Sequence, residues 1–459
     1  MTHDKERLIA ELLDLFGDAV VTDPDVLLSY SHDPATQPPS IPPLAMVRVR
    51  ETACVQKLAQ WATLRRIPLV PRGAGTGLSG GVSAGEGSVI VNFDRMTRIV
   101  EIDEATMIAV VQPGVLNAEL KEAVREKGLW YPPDPASYLT CTLGGNVATN
   151  AGGLCCVRYG VTRDYVLGLT AVRADGRVMR TGGRNRKDVA GYDLTRLLVG
   201  SEGTLAMITE ITLRLRRLPP PSSTVFASFD SLEAAGRAVQ AIVRCADPSL
   251  LELMDRTAIR AVEDFARLEL NTDAAALLIA QADAKDHEEL ESMVAACEGA
   301  GAAQTIATRD PAEGDLLINA RRLAFPALER LGAALIEDVA VPLAALAEML
   351  RRIEVIAENS SSTIATVAHA GDGNLHPLIL FERGNPQAEA RARETFSLIM
   401  EQALALGGTI TGEHGVGTLK AEFLERQLDP DLIELHRAIK RAFDPDWLLN
   451  PGKVISVPG

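Results

Sequence analysis

The sequence predicts an α+β protein of two domains, and three observations carry that reading. At 459 residues the chain exceeds what one hydrophobic core usually serves. Up to Pro219, short strand and helix signals alternate closely around two glycine-rich segments. Beyond the linker Pro219, Pro220, Pro221, Ser222 and Ser223 the pattern becomes strand, helix, strand, helix, with helices long enough to cover a sheet. An antiparallel sheet with helices on one side follows for that second part.

Taken in order, Leu8, Ile9, Leu12, Leu13, Leu15 and Phe16 form a helical apolar stripe, and the Pro-rich stretch 31–43 is an extended linker. Strands are expected over 44–49, 67–70, 88–93 and 107–112, with helices over 52–66 and 117–127. Strands 167–173 and 178–181 flank Asp175 and Gly176, a two-residue hairpin signal, and 205–215 closes the first domain as a strand. In the second domain strands at 224–229, 250–254 and 275–282 alternate with helices at 232–244 and 258–266; strands near 333–341 and 363–369 flank a helix at 343–357.

Bulk properties narrow the function. A formal charge of −15 excludes a phosphate backbone as partner, so no nucleic acid is expected. The six cysteines lack the close spacing of an iron–sulfur site, so electrons leaving this chain would pass to another molecule; adjacent Cys155 and Cys156 read as packed thiols. The charged, amphipathic N-terminus lacks a signal-peptide core, and no window offers about 18 uncharged apolar residues. Cytoplasmic residence is expected, with at most peripheral contact at the inner membrane face.

The organising stretch is Pro71 to Gly81, PRGAGTGLSGG, directly after the apolar run Ile67 to Val70. Five of its eleven residues are glycine, so the backbone can turn through positive φ and present N–H donors to an anion. It lacks the P-loop Lys followed by Ser or Thr, and no helical pattern starts there as a dinucleotide-binding turn requires. About sixty residues on, PPDPASYLTCTLGGNVATNAGG (132–153) repeats the theme with small residues suited to packing backbone against a flat ligand.

Together with TRLLVGSEGTLAMIT (195–209) and LNPGKV (449–454), these segments resemble the FAD-linked oxidases of the vanillyl-alcohol oxidase, or PCMH-type FAD-binding, superfamily. Within it the chain looks most like the D-lactate dehydrogenase, D-2-hydroxyglutarate dehydrogenase and glycolate oxidase flavin-subunit branch. The resemblance implies a PCMH-type FAD-binding domain of two α/β subdomains over 1–219, with its core at about 42–216. A substrate cap over 220–410 and a tail, 411–459, returning to the flavin domain complete it. It assigns the pyrophosphate to Arg72, Gly73, Ala74, Gly75, Thr76, Gly77, Leu78 and Ser79. Pro133, Asp134, Ser137, Gly145, Asn146, Asn150 and Gly153 would follow the isoalloxazine and ribityl, Gly203 and Ile208 the adenine half, and Asn450 the ring. Thr76 stands where covalent members carry His or Cys, so the FAD is expected to be noncovalent.

Two stretches carry the remaining chemistry. In STIATVAHAGDGNLHPLILFE (362–382) a strand ends at His369, a Gly-rich turn follows, and His376 opens the next apolar run, which can bring two imidazoles together. In GTITGEHGVGTLK (408–420), Glu413 completes a His, His, carboxylate set suited to zinc, manganese or another divalent cation. The resemblance likewise matches His369, His376 and Glu413 to the metal ligands, His414 to the proposed base and Arg321 to the substrate-carboxylate arginine. Such a cation would polarise the substrate hydroxyl and His414 would take its proton.

The reading is an FAD- and metal-dependent D-2-hydroxy acid dehydrogenase. Its separate electron acceptor would be a quinone, electron-transfer flavoprotein, cytochrome or iron–sulfur subunit, and a homodimer is compatible with the sequence. Ile336 and Leu378 stand where dicarboxylate-specific relatives have lysine and asparagine, favouring D-lactate, glycolate or a similar small or apolar acid. Two alternatives stay open: a zinc hydrolase using His369, His376 and Glu413, and a flavin subunit inactive without partner chains.

Overall fold

The structure, a computed structural model, describes residues 2–185, 187–283 and 288–456. Its chain forms two units: Met1–Ala151, Val161–Leu218 and Glu413–Gly459 make the first, and Gly152–Gly160 with Pro219–Gly412 the second.

The first unit opens with α1 (Thr2–Phe16), β1 (Val20–Val21), α2 (Pro24–Tyr30), β2 (Ala45–Arg48), α3 (Thr52–Arg65), β3 (Leu69–Arg72) and β4 (Val89–Asn92). These strands make a sheet in the order β1-β2-β4-β3, with β2 and β3 both parallel to β4. Strands buried on both faces read as unbroken apolar runs, which is why Val89, Ile90 and Val91 carry no polar alternation. Helix α3 buries Val55, Leu58, Ala59 and Ala62, the i, i+3, i+4, i+7 stripe of an amphipathic helix, and ends at Arg66 with φ 56.

A second sheet follows from β5 (Ile99–Asp103), β6 (Ile108–Val111), α4 (Asn117–Arg125), β7 (Leu129–Trp130), α5 (Leu143–Thr149), α6 (Cys156–Tyr159, in the second unit), β8 (Val166–Val172), β9 (Val178–Gly182), α7 (Leu194–Leu198), β10 (Met207–Arg214) and β11 (Arg216–Arg217). Its order is β5-β6-β10-β8-β9, all antiparallel. The β8–β9 turn differs from the sequence expectation of two residues. Arg173 and Arg177 still pair, so Ala174, Asp175 and Gly176 form the loop, closed by Gly176 N donating to Arg173 O, with Gly176 at φ +79. In the C-terminal part, α16 (Pro430–Phe443), preceded by α15 (Ala421–Gln427), lends Ile439 and Phe443 to the core beneath this sheet, and Leu449 bridges to Leu69 of β3.

The second unit is built on one antiparallel sheet. Its elements are β12 (Ser223–Phe229), α8 (Leu232–Cys245), β13 (Leu250–Asp255), α9 (Arg256–Ala266), β14 (Ala276–Ala282), α10 (Glu288–Gly299), β15 (Gln304–Thr308), α11 (Pro311–Arg322) and α12 (Ala324–Glu329). They continue through β16 (Ala333–Ile336), β17 (Val339–Ala340), α13 (Leu346–Ser360), β18 (Thr363–His369), β19 (Asn374–Phe381) and α14 (Pro386–Ala405). The order is β15-β12-β14-β13-β18-β19-β16, with β17 also on β19. Helices cover both faces rather than one. Helices α9, α11 and α12 pack with Leu250, Met254, Leu277, Ile279, Val367 and Leu378 on one face, while α8, α10, α13 and α14 lie against the other. The cause is visible in β13 and β14, where consecutive residues are buried and neither face can be left to water.

Candidate active site

The two histidines of the second unit are placed by strand register. Strands β18 and β19 pair antiparallel with His369 opposite Asn374 and Val367 opposite His376, so the period of two puts both imidazoles on the face covered by α9, α11 and α12. The turn between them needs Gly373 at φ +72, and a Cβ there would strike the Val341 carbonyl. The two rings meet edge to face with centroids 5.0 Å apart, and their candidate ligand nitrogens lie within 4.8 Å. Both side chains are buried.

Each imidazole faces a carboxylate that the sequence reading did not single out. Glu252, on β13, pairs in register with His369; its Oε1 lies 2.7 Å from His369 Nδ1 and its Oε2 lies 2.9 Å from Arg321 Nε. Glu252 is 1% exposed, which a carboxylate tolerates only with partners of this kind. Asp338, fully buried between β16 and β17, puts Oδ1 3.7 Å from His376 Nδ1, while its Oδ2 accepts from Thr411 Oγ1 at 2.6 Å and Gly412 N at 3.0 Å. With Nδ1 of His369 protonated toward Glu252, Nε2 is its lone-pair nitrogen, the arrangement of a metal-binding histidine with a carboxylate behind it. These residues fit a divalent cation. A signal was present: Glu252 interrupts the apolar strand LLELM, and Asp338 sits inside ALIEDVAV.

Arg321 lies in the last turn of α11, beside this face. Ile336 and Leu378 are register partners across β16 and β19, and Leu378 stands two residues from His376, so both line the same face as an apolar wall.

In the first unit the two glycine segments touch. Strand β3 runs into the loop, Gly75 and Gly80 take φ +76 and +78, and a Cβ at Gly73 would run into the Thr142 hydroxyl at the start of the second segment. That segment is helical over α5, a feature not anticipated from its small residues; Thr142 caps it by accepting from Gly145 N at 3.3 Å. Gly144 allows close approach to Pro113, whose Cβ would be 2.5 Å from an added methyl group. Gly203 likewise packs on Pro71, 2.8 Å from its Cγ by the same measure.

The assigned polar side chains have partners of their own. Asn146 Oδ1 accepts from Asn117 Nδ2 at 3.0 Å, Asn117 also donates to Pro133 O, and Asn150, at φ 54, accepts from Arg163 N. Arg72 Nη1 donates to His32 O at 2.8 Å. Asp33, missed in sequence, accepts from Gly80 N at 2.7 Å and fixes the far end of the loop; burial raises its carboxyl above the ordinary range. Asp134 and Ser137 occupy the turn ahead of Cys141, with Ser137 O accepting from Cys141 N at 2.8 Å. Ile208 sits in the core of the second sheet, and Gly153 belongs to the second unit. Arg72 is the only charged residue between Pro71 and Gly81. A glycine-lined backbone with the neighbouring hydroxyls of Thr76 and Ser79 fits the pyrophosphate of FAD.

Glu413 and His414 begin the C-terminal part of the first unit. The loop that carries them is tied to the glycine cradle. Thr418 N and Leu419 N donate to Ser79 O at 3.0 and 3.1 Å, and Val416 N and Gly417 N donate to Glu202 at 2.7 and 2.9 Å. Asn450 Nδ2 donates to Gly81 O and Glu202 O, drawing the tail into the same junction. Burial pushes the Glu202 carboxyl up to about 7 against the pull of those two N–H donors.

A family model described as the C-terminal domain of FAD linked oxidases matches residues 171–454, and one described as an FAD binding domain matches 43–182. The chain belongs to the FAD-linked oxidases. The second match spans both glycine segments, and FAD is the cofactor of this oxidoreductase. Among curated relatives, this FAD-linked oxidase is 42% identical to the glycolate oxidase subunit GlcD of Bacillus subtilis, over 94% of this chain and 92% of that one. It is 40% identical to GlcD of Escherichia coli K12, over 90% of this chain and 84% of the other. The D-lactate dehydrogenase of Archaeoglobus fulgidus is 36% identical, over 90% of this chain and 94% of its own. Among solved structures, p-cresol methylhydroxylase with substrate bound shares the fold, with a TM-score of 0.85 at 18% identity, covering 99% of this chain and 98% of that one. The PCMH-type fold expected from the sequence is thereby shown. Among the described residues no helix is long and apolar enough to cross a membrane.

Proposed function

We propose that this FAD-linked oxidase converts a small or apolar D-2-hydroxy acid, with D-lactate and glycolate as the leading substrates, to the 2-oxo acid. The observation that carries the reading is the pair of adjacent imidazoles on one sheet face, with Glu252 behind His369 and Asp338 behind His376. The names of the relatives, glycolate oxidase subunit and D-lactate dehydrogenase, support the substrate class.

When bound, FAD supplies the two-electron acceptor, and a zinc or manganese ion at His369, His376 and Glu413 supplies a Lewis acid for the hydroxyl. His414 takes the hydroxyl proton. Arg321 binds the substrate carboxylate through the edge of its guanidinium opposite Nε, and Ile336 with Leu378 disfavours a second carboxylate. Noncovalent FAD is expected to lie along Arg72–Ser79 and the second glycine segment, with the flavin unit formed by 1–219 and 411–459 and the cap by 220–410. Electrons leave to a separate acceptor, since the six cysteines show none of the motif spacing of an iron–sulfur site. The hydrolase alternative leaves the FAD binding domain without a purpose and is set aside.

Stopped-flow mixing of the oxidised holoenzyme with D- and L-lactate, glycolate and D-2-hydroxyglutarate under anaerobic conditions tests the reading. Rapid loss of flavin absorbance with D-lactate or glycolate and none with L-lactate is expected. Absence of bleaching by every hydroxy acid removes the substrate assignment. Turnover of the isolated chain with an artificial dye separates an autonomous enzyme from a subunit that requires partners, the arrangement suggested by the relatives called subunits. His414→Ala is expected to slow bleaching while FAD stays bound.

A further inference from the structure

We infer that Glu252 is a positioning residue that couples the cation site to the substrate-carboxylate site, by holding His369 with one oxygen and Arg321 with the other. The inference rests on the proposed metal and carboxylate roles of those two residues.

The geometry leaves little slack. Glu252 lies in the interior of β13, directly across from His369 in the strand ladder. Its two oxygens are divided, Oε1 to His369 Nδ1 at 2.7 Å and Oε2 to Arg321 Nε at 2.9 Å. Arg321 is itself only 12% exposed. Oε1 accepts from His369 Nδ1–H, whereas Oε2 meets Arg321 Nε as an ion pair that is not aligned as a hydrogen bond, so Glu252 acts on one partner as an acceptor and on the other through its charge. Accepting from His369 Nδ1–H selects the tautomer whose lone pair is on Nε2, the nitrogen a cation needs. The negative charge at Oε2 holds the buried Arg321 guanidinium beside His369. A carboxylate is the one side chain of this length that can serve both. A glutamine keeps an acceptor for His369 but has no charge to hold Arg321, so the guanidinium is left as an uncompensated buried cation beside the cation site.

The test measures Zn²⁺ affinity of the chelator-stripped full-length holoprotein by competition with a chromophoric chelator. Four proteins are compared with wild type: Glu252→Gln, the doubles Glu252→Gln/Arg321→Leu and Glu252→Leu/Arg321→Leu, and His369→Ala. Neither double leaves an unpaired charge inside the sheet, so both keep the comparison available if the single variant fails to fold. Loss of a partner behind a metal-binding histidine typically weakens metal about 10- to 100-fold. That loss is expected for Glu252→Leu/Arg321→Leu, whereas Glu252→Gln/Arg321→Leu, which keeps an acceptor for His369, should bind within about threefold of wild type by the same reasoning. Glu252→Gln alone should bind more weakly than Glu252→Gln/Arg321→Leu, because it leaves the Arg321 cation uncompensated beside the site. Equal Zn²⁺ affinity in the two doubles overturns the positioning role. Undiminished Zn²⁺ binding by His369→Ala instead overturns the underlying metal assignment, so the two failures are distinct.

Discussion

Gly417→Ala probes the junction on which the Glu413 and His414 loop depends. Gly417 has φ +51, and an added Cβ would fall on the Ser79 carbonyl, 2.5 Å from its carbon, the same carbonyl that accepts from Thr418 N and Leu419 N. The conformation alone costs an alanine about 1 kcal/mol. Displacing the carbonyl weakens two hydrogen bonds, each worth about 1 kcal/mol net. The total, about 3 kcal/mol, should lower the melting temperature of the holoprotein by roughly 6 to 12 °C for a unit of this size. Because Ser79 ends the segment proposed for the pyrophosphate, FAD should also dissociate more readily, read as flavin fluorescence in the filtrate. Gly452→Ala is the matched control: its φ is +76, but no atom lies within 4 Å of the added methyl group, so only the conformational cost of about 1 kcal/mol applies. If the two variants melt together and retain FAD equally, the clash with Ser79 is not what holds the loop, and the reasoning is wrong.

Burial pushes Glu202 and Asp255 to about 7 from ordinary values of 4.5 and 3.8, so between those limits the folded chain keeps protons that the unfolded chain has lost. Stability should therefore fall as pH rises toward 7, by up to about 1.4 kcal/mol per pH unit for each group, and Glu202→Gln should remove its share in urea titrations at pH 5, 6 and 7. Lys440 Nζ donates to Thr204 O, Asp444 Oδ2 and Leu449 O at 2.6, 2.5 and 2.8 Å. Lys440→Met strands the fully buried Asp444 and should cost about 3–5 kcal/mol in urea unfolding; a loss below about 1 kcal/mol would show that the pair contributes little. Leu378→Asn, beside His376, should raise KM for D-lactate while narrowing the preference over D-2-hydroxyglutarate; an unchanged ratio of kcat/KM values counts against the apolar wall.

What could be read in the sequence was local. The alternation ending at His369, the turn glycines and the restart at His376 are neighbours in the chain, and the strand pairing follows from them. The glycine segments declared a cradle because their composition is the signal. Residues that make these pieces work were hidden by distance: Glu252 meets a histidine 117 residues away, Glu202 holds amides 214 and 215 residues on, and Asp33 reaches 47 residues to Gly80. A lone acid in an apolar strand announces that it has a partner, not which one. The short α2, α5 and α7 escaped because one or two turns carry too little periodicity, and α5 is rich in glycine. Covering of the second sheet on both faces was legible in principle from the continuous apolar run of β14, which no one-sided sheet requires.

The nine residues Gly152–Gly160 leave the first unit, join the second, and return. They are integral there: Leu154 belongs to its core, Tyr159 Oη donates to Asp283 at 2.6 Å, and Arg158 Nη1 donates to Asp247 O at 3.0 Å. Anyone grafting a cap from one oxidase onto the body of another would have to transplant two pieces, because a swap cut only at Pro219 and Gly412 leaves this patch mismatched. Substrate preference in such chimeras should track the origin of the large piece only when the small one travels with it.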